Sequence, residues 1–319
     1  MIAEIVFNLP LERSFHYLIP AALRDAVCPG VRVVAPFGPR ERIGFVTRLV
    51  TQSPIHELKA IRRAIDPTPM VTDERWALAT WLSEYYACSL GEALAAMVPS
   101  GLRLKGQTSS GPSALAVSAT GGPASFELSA HQRKALETIA EAMQGTRSRT
   151  ILLHGITASG KTELYLRAIE LARQQGRGAI CLVPEIALTP QTIDRFRERF
   201  GDHVAVWHSR LTDRQRAREW ERLATGACQV VIGARSAVFA PVRKLGVIVL
   251  DEEHETTYKQ EDTPRYHARD VARARARLTH ALVILGSATP AVESYYAALN
   301  GRDQLVALPE RGEGRALPT

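Results

Sequence analysis

Residues 155–162 read Gly-Ile-Thr-Ala-Ser-Gly-Lys-Thr, a G-x-x-x-x-G-K-T run. An apolar segment, 150–153, precedes it, and a stretch with helical periodicity, 161–174, follows. That context restricts the fold sharply. A loop of this kind works when it leaves a strand and enters a helix, because its backbone N–H groups and the helix N-terminus then form a concave, positively polarised surface for phosphates. Gly155, Ile156, Thr157, Ala158, Ser159, Gly160, Lys161 and Thr162 are therefore predicted to hold a nucleotide. Lys161 would reach the β- and γ-phosphates, and the Thr162 hydroxyl would ligate magnesium. The bland alternative is a glycine-rich turn with an accidental Lys-Thr.

The surrounding pattern argues for α/β architecture. From residue 128 onward, helical stretches alternate with short apolar runs at 179–183, 204–207, 230–232, 247–250 and 282–285. Runs that are apolar on both faces are strands covered on both sides, as in a parallel sheet flanked by helices. The run at 247–250 ends in Asp251-Glu252-Glu253-His254. A strand-end aspartate near a phosphate loop is where magnesium is held, and the next carboxylate can orient and deprotonate an attacking water. Asp251, Glu252 and Lys161 are thus the candidate catalytic groups. Solvated surface is the ordinary reading of a carboxylate cluster, and the phosphate loop upstream weighs against it.

The first hundred residues read differently. Short segments at 2–7, 15–19, 31–36 and 43–50 read as strands separated by Pro and Gly, and two helices follow at 73–87 and 90–97. A small β-rich module results. Residues 106–125 are Gly, Ser, Ala, Thr and Pro with no charged side chain, so 106–127 reads as a flexible linker between domains at 1–105 and 128–319. The net charge of +7 favours a polyanionic partner only weakly. The excess lies in the second part: residues 1–105 carry 12 basic and 10 acidic side chains, residues 128–319 carry 28 and 22. Four cysteines stand far apart in sequence and form no C-x-x-C pair, which predicts reduced thiols and no zinc site in this chain. No apolar run approaches the ~20 residues of a membrane helix, so a cytoplasmic protein without a membrane partner is expected.

Several blocks, taken in order, carry a family resemblance. They are Leu128-Ser-Ala-His-Gln132, the phosphate loop, Val183-Pro-Glu-Ile-Ala-Leu-Thr-Pro-Gln191, Trp207-His-Ser209 and Gly233-Ala-Arg-Ser-Ala237. Asp251-Glu-Glu-His254, Tyr258-Lys-Gln260, Arg265-Tyr-His-Ala-Arg-Asp270 and Gly286-Ser-Ala-Thr-Pro290 follow. With Ser14-Phe-His-Tyr17, Pro36-Phe-Gly38 and Glu57-Leu-Lys59 in the first part, the chain resembles the primosomal protein N′ family of superfamily-2 replication-restart helicases.

The resemblance implies a DNA-binding module for 3′ ends at 1–105 and a RecA-like P-loop helicase lobe at 128–319. It implies an ATP- and Mg²⁺-dependent 3′→5′ helicase acting in replication restart and primosome assembly. The implied partners are forked or single-stranded DNA with a 3′ end, single-strand-binding protein and primosome components, and the implied location is the nucleoid. Gln132 would hydrogen-bond adenine, and residues 286–290 would link nucleotide state to DNA contact. Phe15, His16, Tyr17, Gly38 and Lys59 match the family's 3′-end pocket. Tyr258, Lys259, Arg265 and Tyr266 match a loop that couples DNA to hydrolysis; aromatic faces can stack on bases and cations can hold phosphates. Read without the family, that loop could equally hold a partly buried tyrosine pair. Arg269, Arg273 and Arg277 would share one helical face, as a phosphate track or a solvated basic face.

Four departures from the family pattern stand out. His16 occupies a position that is often acidic, and Ala158 one that is usually Gly. The linker is too short for the family's winged-helix domain. The sequence also stops where a second lobe, with its arginine finger and zinc-binding cysteines, is expected, so the chain reads as truncated. A non-catalytic fork-binding or assembly protein with a relic ATPase lobe is the alternative.

Overall fold

The computed structural model describes residues 1–99, 127–145 and 149–310. The linker expected at 106–127 falls outside them except for Glu127. Contacts divide the chain into two compact units. One contains Met1–Ser110 together with Thr212–Ala217 and Gln260–Tyr266, and the other contains Gly111–Leu211, Arg218–Lys259 and His267–Thr319.

In the first unit β1 (Ile2–Phe7), β2 (Phe15–Leu18), β3 (Arg32–Phe37), β4 (Arg40–Val50) and β5 (Arg63–Ala64) form an antiparallel sheet in the order β2-β1-β4-β3-β5. Helices α1 (Asp73–Tyr86) and α2 (Leu90–Met97) follow. Alternation along the central β1 sends Ala3, Ile5 and Phe7 into a core with Tyr17, Val33 and Val46. α2 starts with a full capping box between Ser89 and Glu92. Its Gly91 lies so close to β1 that a Cβ there would stand 1.7 Å from the Phe7 carbonyl oxygen, so the helix can dock only with glycine at this point.

One buried ion pair ties this unit together. Arg32, 1% exposed, and Asp66, 2% exposed, meet through Nη2–Oδ1 at 2.6 Å and Nε–Oδ2 at 2.9 Å. The Arg32 backbone N–H donates to Asp66 Oδ2 at 2.9 Å, and Nη1 donates to the Pro99 carbonyl at 2.9 Å. β3 is thereby fixed to the segment after β5 and to the end of α2.

The second unit begins with α3 (Ala130–Gln144). There follow β6 (Arg149–Gly155), α4 (Lys161–Gln174), β7 (Gly178–Leu182), α5 (Pro190–Phe200), β8 (Val204–Trp207), α6 (Asp213–Thr225) and β9 (Val230–Gly233). The rest is β10 (Leu245–Leu250), α7 (Ala268–Thr279), β11 (Leu282–Ser287), α8 (Val292–Leu299) and β12 (Gln304–Leu308). Its seven strands are all parallel, in the order β12-β6-β11-β10-β7-β9-β8. The expected α/β class is the one observed: a small antiparallel module and a parallel sheet with helices. β7, β9, β10 and β11 are buried along their whole length. Because every strand runs the same way, the loops after β6, β10 and β11 emerge along one edge, where open parallel sheets bind ligands.

Asp66→Ala should cost about 3–5 kcal/mol of stability, because it leaves Arg32 buried and unpaired. Replacing both residues, as Arg32→Met with Asp66→Leu, should recover much of that loss. Equilibrium urea unfolding of the three proteins checks both statements.

Candidate nucleotide and nucleic-acid sites

The phosphate loop joins β6 to α4. Gly160 is the N-cap of α4 with φ +83°, and it offers no side chain to the first-turn N–H groups, which have no partner within the helix. A Cβ at Gly160 would lie 2.3 Å from Gln132 Nε2. Lys161 is buried and folds back so that Nζ donates to the Gly155 carbonyl at 2.8 Å. The Ser159 hydroxyl is buried with no hydrogen-bond partner among the described residues. A bare helix N-terminus, a buried ammonium and an orphan hydroxyl around a concave loop fit a polyphosphate.

The end of β10 supplies the acids. Lys161 Nζ lies 3.8 Å from Glu252 Oε1. Asp251 accepts from the Tyr165 hydroxyl at 3.0 Å and from the Glu252 backbone N–H at 3.1 Å, both through Oδ1. Burial, reinforced by the neighbouring Glu252 charge, pushes the Asp251 carboxyl above its usual range, against the Tyr165 hydrogen bond and the Lys161 charge. Tyr165 is itself driven well above the ordinary phenol value, first by burial and then by Asp251. A desolvated carboxylate in this position is a site that a divalent cation would satisfy, and Asp251 and Thr162 offer the hard oxygens that Mg²⁺ prefers. Glu252 adopts φ +45°, a left-handed conformation uncommon outside glycine. His254 reaches the Ser287 hydroxyl at 2.8 Å and stands 3.6 Å from Glu252 Oε2.

Gln132, expected to meet adenine, is engaged otherwise. Its Oε1 accepts from Ser129 N–H at 2.9 Å, completing the capping box of α3, and its Nε2 donates to the Ser159 carbonyl at 2.9 Å. It is 3% exposed and ties α3 to the phosphate loop.

The candidate DNA residues do not gather into single clusters. In β2, strand alternation separates His16 from its neighbours. Phe15 and Tyr17 pack with Phe7 and Phe37, and the Tyr17 hydroxyl donates to the Pro36 carbonyl at 2.8 Å. His16 is engaged at both ring nitrogens, Nδ1 with the Ser53 hydroxyl at 2.9 Å and Nε2 with Glu4 Oε1 at 3.3 Å. An imidazole so engaged has no free lone pair for a 3′-hydroxyl. Glu4 is also bound by Arg48 at 2.8 Å, which more than offsets burial and holds its carboxyl below the usual range. Gly38 and Lys59 do come together, lining a depression of about 530 Å³ with Pro36, Arg40, Glu41 and Arg62.

Tyr258 and Tyr266 are 1% and 3% exposed, so neither ring face is open for stacking. The Tyr258 hydroxyl donates to the Asp251 carbonyl at 2.7 Å. Lys259 and His267 form a β-bridge, and Arg265 is exposed beside it. Arg269 is not part of a basic face. It is buried against Glu253, and Arg273 is paired with Asp303, which leaves only Arg277 of that trio exposed. Glu253 and Tyr165 were missed as site residues by sequence reasoning. Tyr165 could have been found from its spacing, one helical turn after Lys161.

Residues 129–297 match the DEAD/DEAH box helicase family. The chain belongs to that family. Residues 4–99 match a second family, the 3′DNA-binding domain (3′BD) of PriA. Among individual proteins, the chain is similar to the replication restart protein PriA of Treponema pallidum, at 43% identity over 99% of this chain and 48% of the relative. It is similar to those of Bacillus subtilis, at 31% identity over 99% and 56%, and of Haemophilus influenzae, at 33% over 99% and 53%. The chain thus spans about half the length of the curated relatives it matches. The match to the T. pallidum protein runs over 321 positions, close to this chain's 319 residues, whereas the match to the B. subtilis protein needs 455. The latter relative therefore carries internal residues that this helicase chain lacks. Among the described residues no helix is long and apolar enough to cross a membrane, and no group of three or more His, Cys, Asp or Glu could hold a metal ion.

Lys161→Ala should abolish binding of Mg²⁺–ATP as read by titration calorimetry. Tyr165→Phe, which removes only the hydroxyl on Asp251, should leave the fold intact and weaken Mg²⁺-dependent binding by about 0.5–1.5 kcal/mol.

Proposed function

We propose that the chain is the DNA-binding and ATP-binding part of a 3′→5′ DNA helicase that restarts replication at forked DNA and takes part in primosome assembly. The observation that carries this reading is the meeting of the two motifs: Lys161 of the phosphate loop stands 3.8 Å from Glu252 at the end of β10, beside buried Asp251. Residues 1–105 act as the 3′-end module, 106–127 as the linker and 128–319 as the ATP-binding lobe. Lys161 and the loop 155–162 bind the triphosphate. Thr162 and Asp251 hold Mg²⁺, which neutralises charge developing on the phosphates. Glu252, lifted toward Lys161 by its left-handed backbone, orients the attacking water and takes its proton. Gln132 fixes the loop from behind through Ser159 and turns toward a base only if its capping bonds open.

DNA is met in the first unit by the Gly38–Lys59 depression, where Arg40 and Arg62 add positive charge and glycine lets a nucleotide approach closely. Phe15 and Tyr17 support that wall from the core, and His16 orders the opposite face through Glu4. In the second unit, Lys259 and Arg265 hold phosphates, while Tyr258 and Tyr266 brace the loop that carries them. Forked or single-stranded DNA with a free 3′ end is the ligand. Single-strand-binding protein and primosome components are the protein partners, and the protein works in the cytoplasm at the nucleoid.

A helicase of this kind closes its nucleotide site between two lobes, and an arginine supplied from the second is worth about 10³–10⁵ in rate. The 319 residues by themselves should therefore bind Mg²⁺–ATP but hydrolyse it slowly, with whatever turnover occurs lost in Glu252→Gln. Steady-state hydrolysis with saturating forked DNA measures this. Fast turnover unaffected by Glu252→Gln would overturn the assignment of the water-activating group.

Binding to a tailed oligonucleotide should weaken when its 3′ end carries a bulky block. Lys59→Ala should reduce the salt dependence of binding by about 0.7–0.9 in the log–log slope, the contribution of one phosphate contact. Fluorescence anisotropy at several salt concentrations reads both effects, and equal affinity for blocked and free ends would remove the end-recognition role.

A further inference from the structure

Glu253 is fully buried, yet its carboxylate touches neither the phosphate loop nor the other two acids of its own turn. Oε1 accepts from the Ala291 backbone N–H at 2.7 Å, at the start of α8. Oε2 accepts from the Ser294 hydroxyl at 2.8 Å and from Arg269 Nη1 at 3.0 Å, in the first turn of α7. Arg269 Nη1 also donates to the Ser294 hydroxyl at 3.2 Å, which closes the network. The Glu253 backbone N–H is held by the Gly286 carbonyl at 3.0 Å.

These contacts stand on either side of one segment. Residues 254–268 link β10 to α7, and both ends of the segment are pinned to the turn at 251–253. Near the first end the Tyr258 hydroxyl binds the Asp251 carbonyl. Beyond the second, Arg269 binds the Glu253 carboxylate. Between them the bridge from Lys259 to His267 and the hydrogen bond from Gln260 N–H to the Tyr266 carbonyl, 2.8 Å, make the segment a closed loop. A loop anchored this way cannot shift without pulling on the peptides that carry Asp251 and Glu252. Glu252 sits in a left-handed conformation that its neighbours must hold in place. A buried ion pair adds little net stability compared with apolar packing, so three donors converging on one carboxylate serve geometry more than folding energy.

We propose that Glu253 is a positioning residue that couples DNA on loop 254–268 to the nucleotide site, by holding α7 and α8 to the turn bearing Asp251 and Glu252. The inference rests on the helicase reading above and adds to it the connection through which the two ligands sense each other. Coupling of this kind is reciprocal: DNA must change nucleotide affinity by the same factor that nucleotide changes DNA affinity.

The test measures that factor in the 319-residue chain. The dissociation constant of Mg²⁺–ATPγS is determined without and with a saturating single-stranded oligonucleotide bearing a free 3′ end. In the wild type the two constants should differ by about 5–150-fold. In Glu253→Gln the ratio should fall to within about twofold of one, while each ligand alone binds within about threefold of wild type, a pattern that a general loss of structure does not give. Ser294→Ala and Arg269→Lys each disturb one contact and keep the charges balanced, so they serve if Glu253→Gln does not fold. Each should lower the ratio at unchanged single-ligand affinity. A wild-type ratio of one, or variants that keep the wild-type ratio, overturns the proposal. A wild type that binds no nucleotide at all instead removes the helicase reading, and this inference with it.

Discussion

Three consecutive carboxylates at the end of β10 set the terms for the rest of the second unit. Asp251, Glu252 and Glu253 leave a strand that is buried along its whole length, so they emerge where little water is available to them. Like charges crowded in such a place repel, and each needs its own compensation. The chain sends them three ways. Asp251 turns to the Tyr165 hydroxyl, Glu252 to the Lys161 ammonium, and Glu253 to Arg269 and the start of α8. The left-handed backbone at Glu252 is what separates the directions: in an ordinary strand, residues 251 and 253 would share a face. Phosphate loop, α7 and α8 are each bound to one acid of a single turn.

That division explains why the sheet was easier to read than the site. The strands of the second unit announce themselves because parallel strands covered on both faces must be continuously apolar, and residues 204–207 and 247–250 are. α4 follows from the phosphate loop, and α2 from a capping box. β12 escaped because only Leu308 of its five residues is buried, so no alternation shows in its sequence. β5 escaped because two residues carry no pattern at all. Neither omission touches the site, since the chemistry sits after β6, β10 and β11.

Side-chain direction was much less legible. Tyrosine serves equally as a stacking platform or as a core residue with one polar end, and sequence cannot separate the two uses. In Tyr258 and Tyr266 the core use holds, with the Tyr258 hydroxyl spent on a backbone carbonyl. Arginines at helical spacing look like a basic face, yet a buried acid on another element turns one inward, and Glu253 does this to Arg269. Gln132 shows the same limit at a helix start. A glutamine three residues after Ser129 is a cap by local rules and a base reader by family analogy, and the local rule describes the side chain in this conformation.

The first unit shows how strand geometry restricts what a DNA pocket can be made of. Phe15, His16 and Tyr17 are consecutive in β2, so they cannot all face one ligand. Phe15 and Tyr17 take the core face, where four aromatic rings meet. His16 takes the other, where Glu4 already has Arg48, Ser14 and the imidazole around it. A nucleotide end must therefore be met by groups off the strand faces. Gly38, in the turn between β3 and β4, and Lys59, just ahead of the Ala60 bridge to β2, meet that condition. Turn residues are free of the alternation that commits strand residues to a face, and Gly38 at φ +59° has nothing within 4 Å of where a Cβ would stand. Open space above a backbone turn, flanked by cations, gives a terminal phosphate or sugar room to approach the main chain, which the aromatic strand cannot offer.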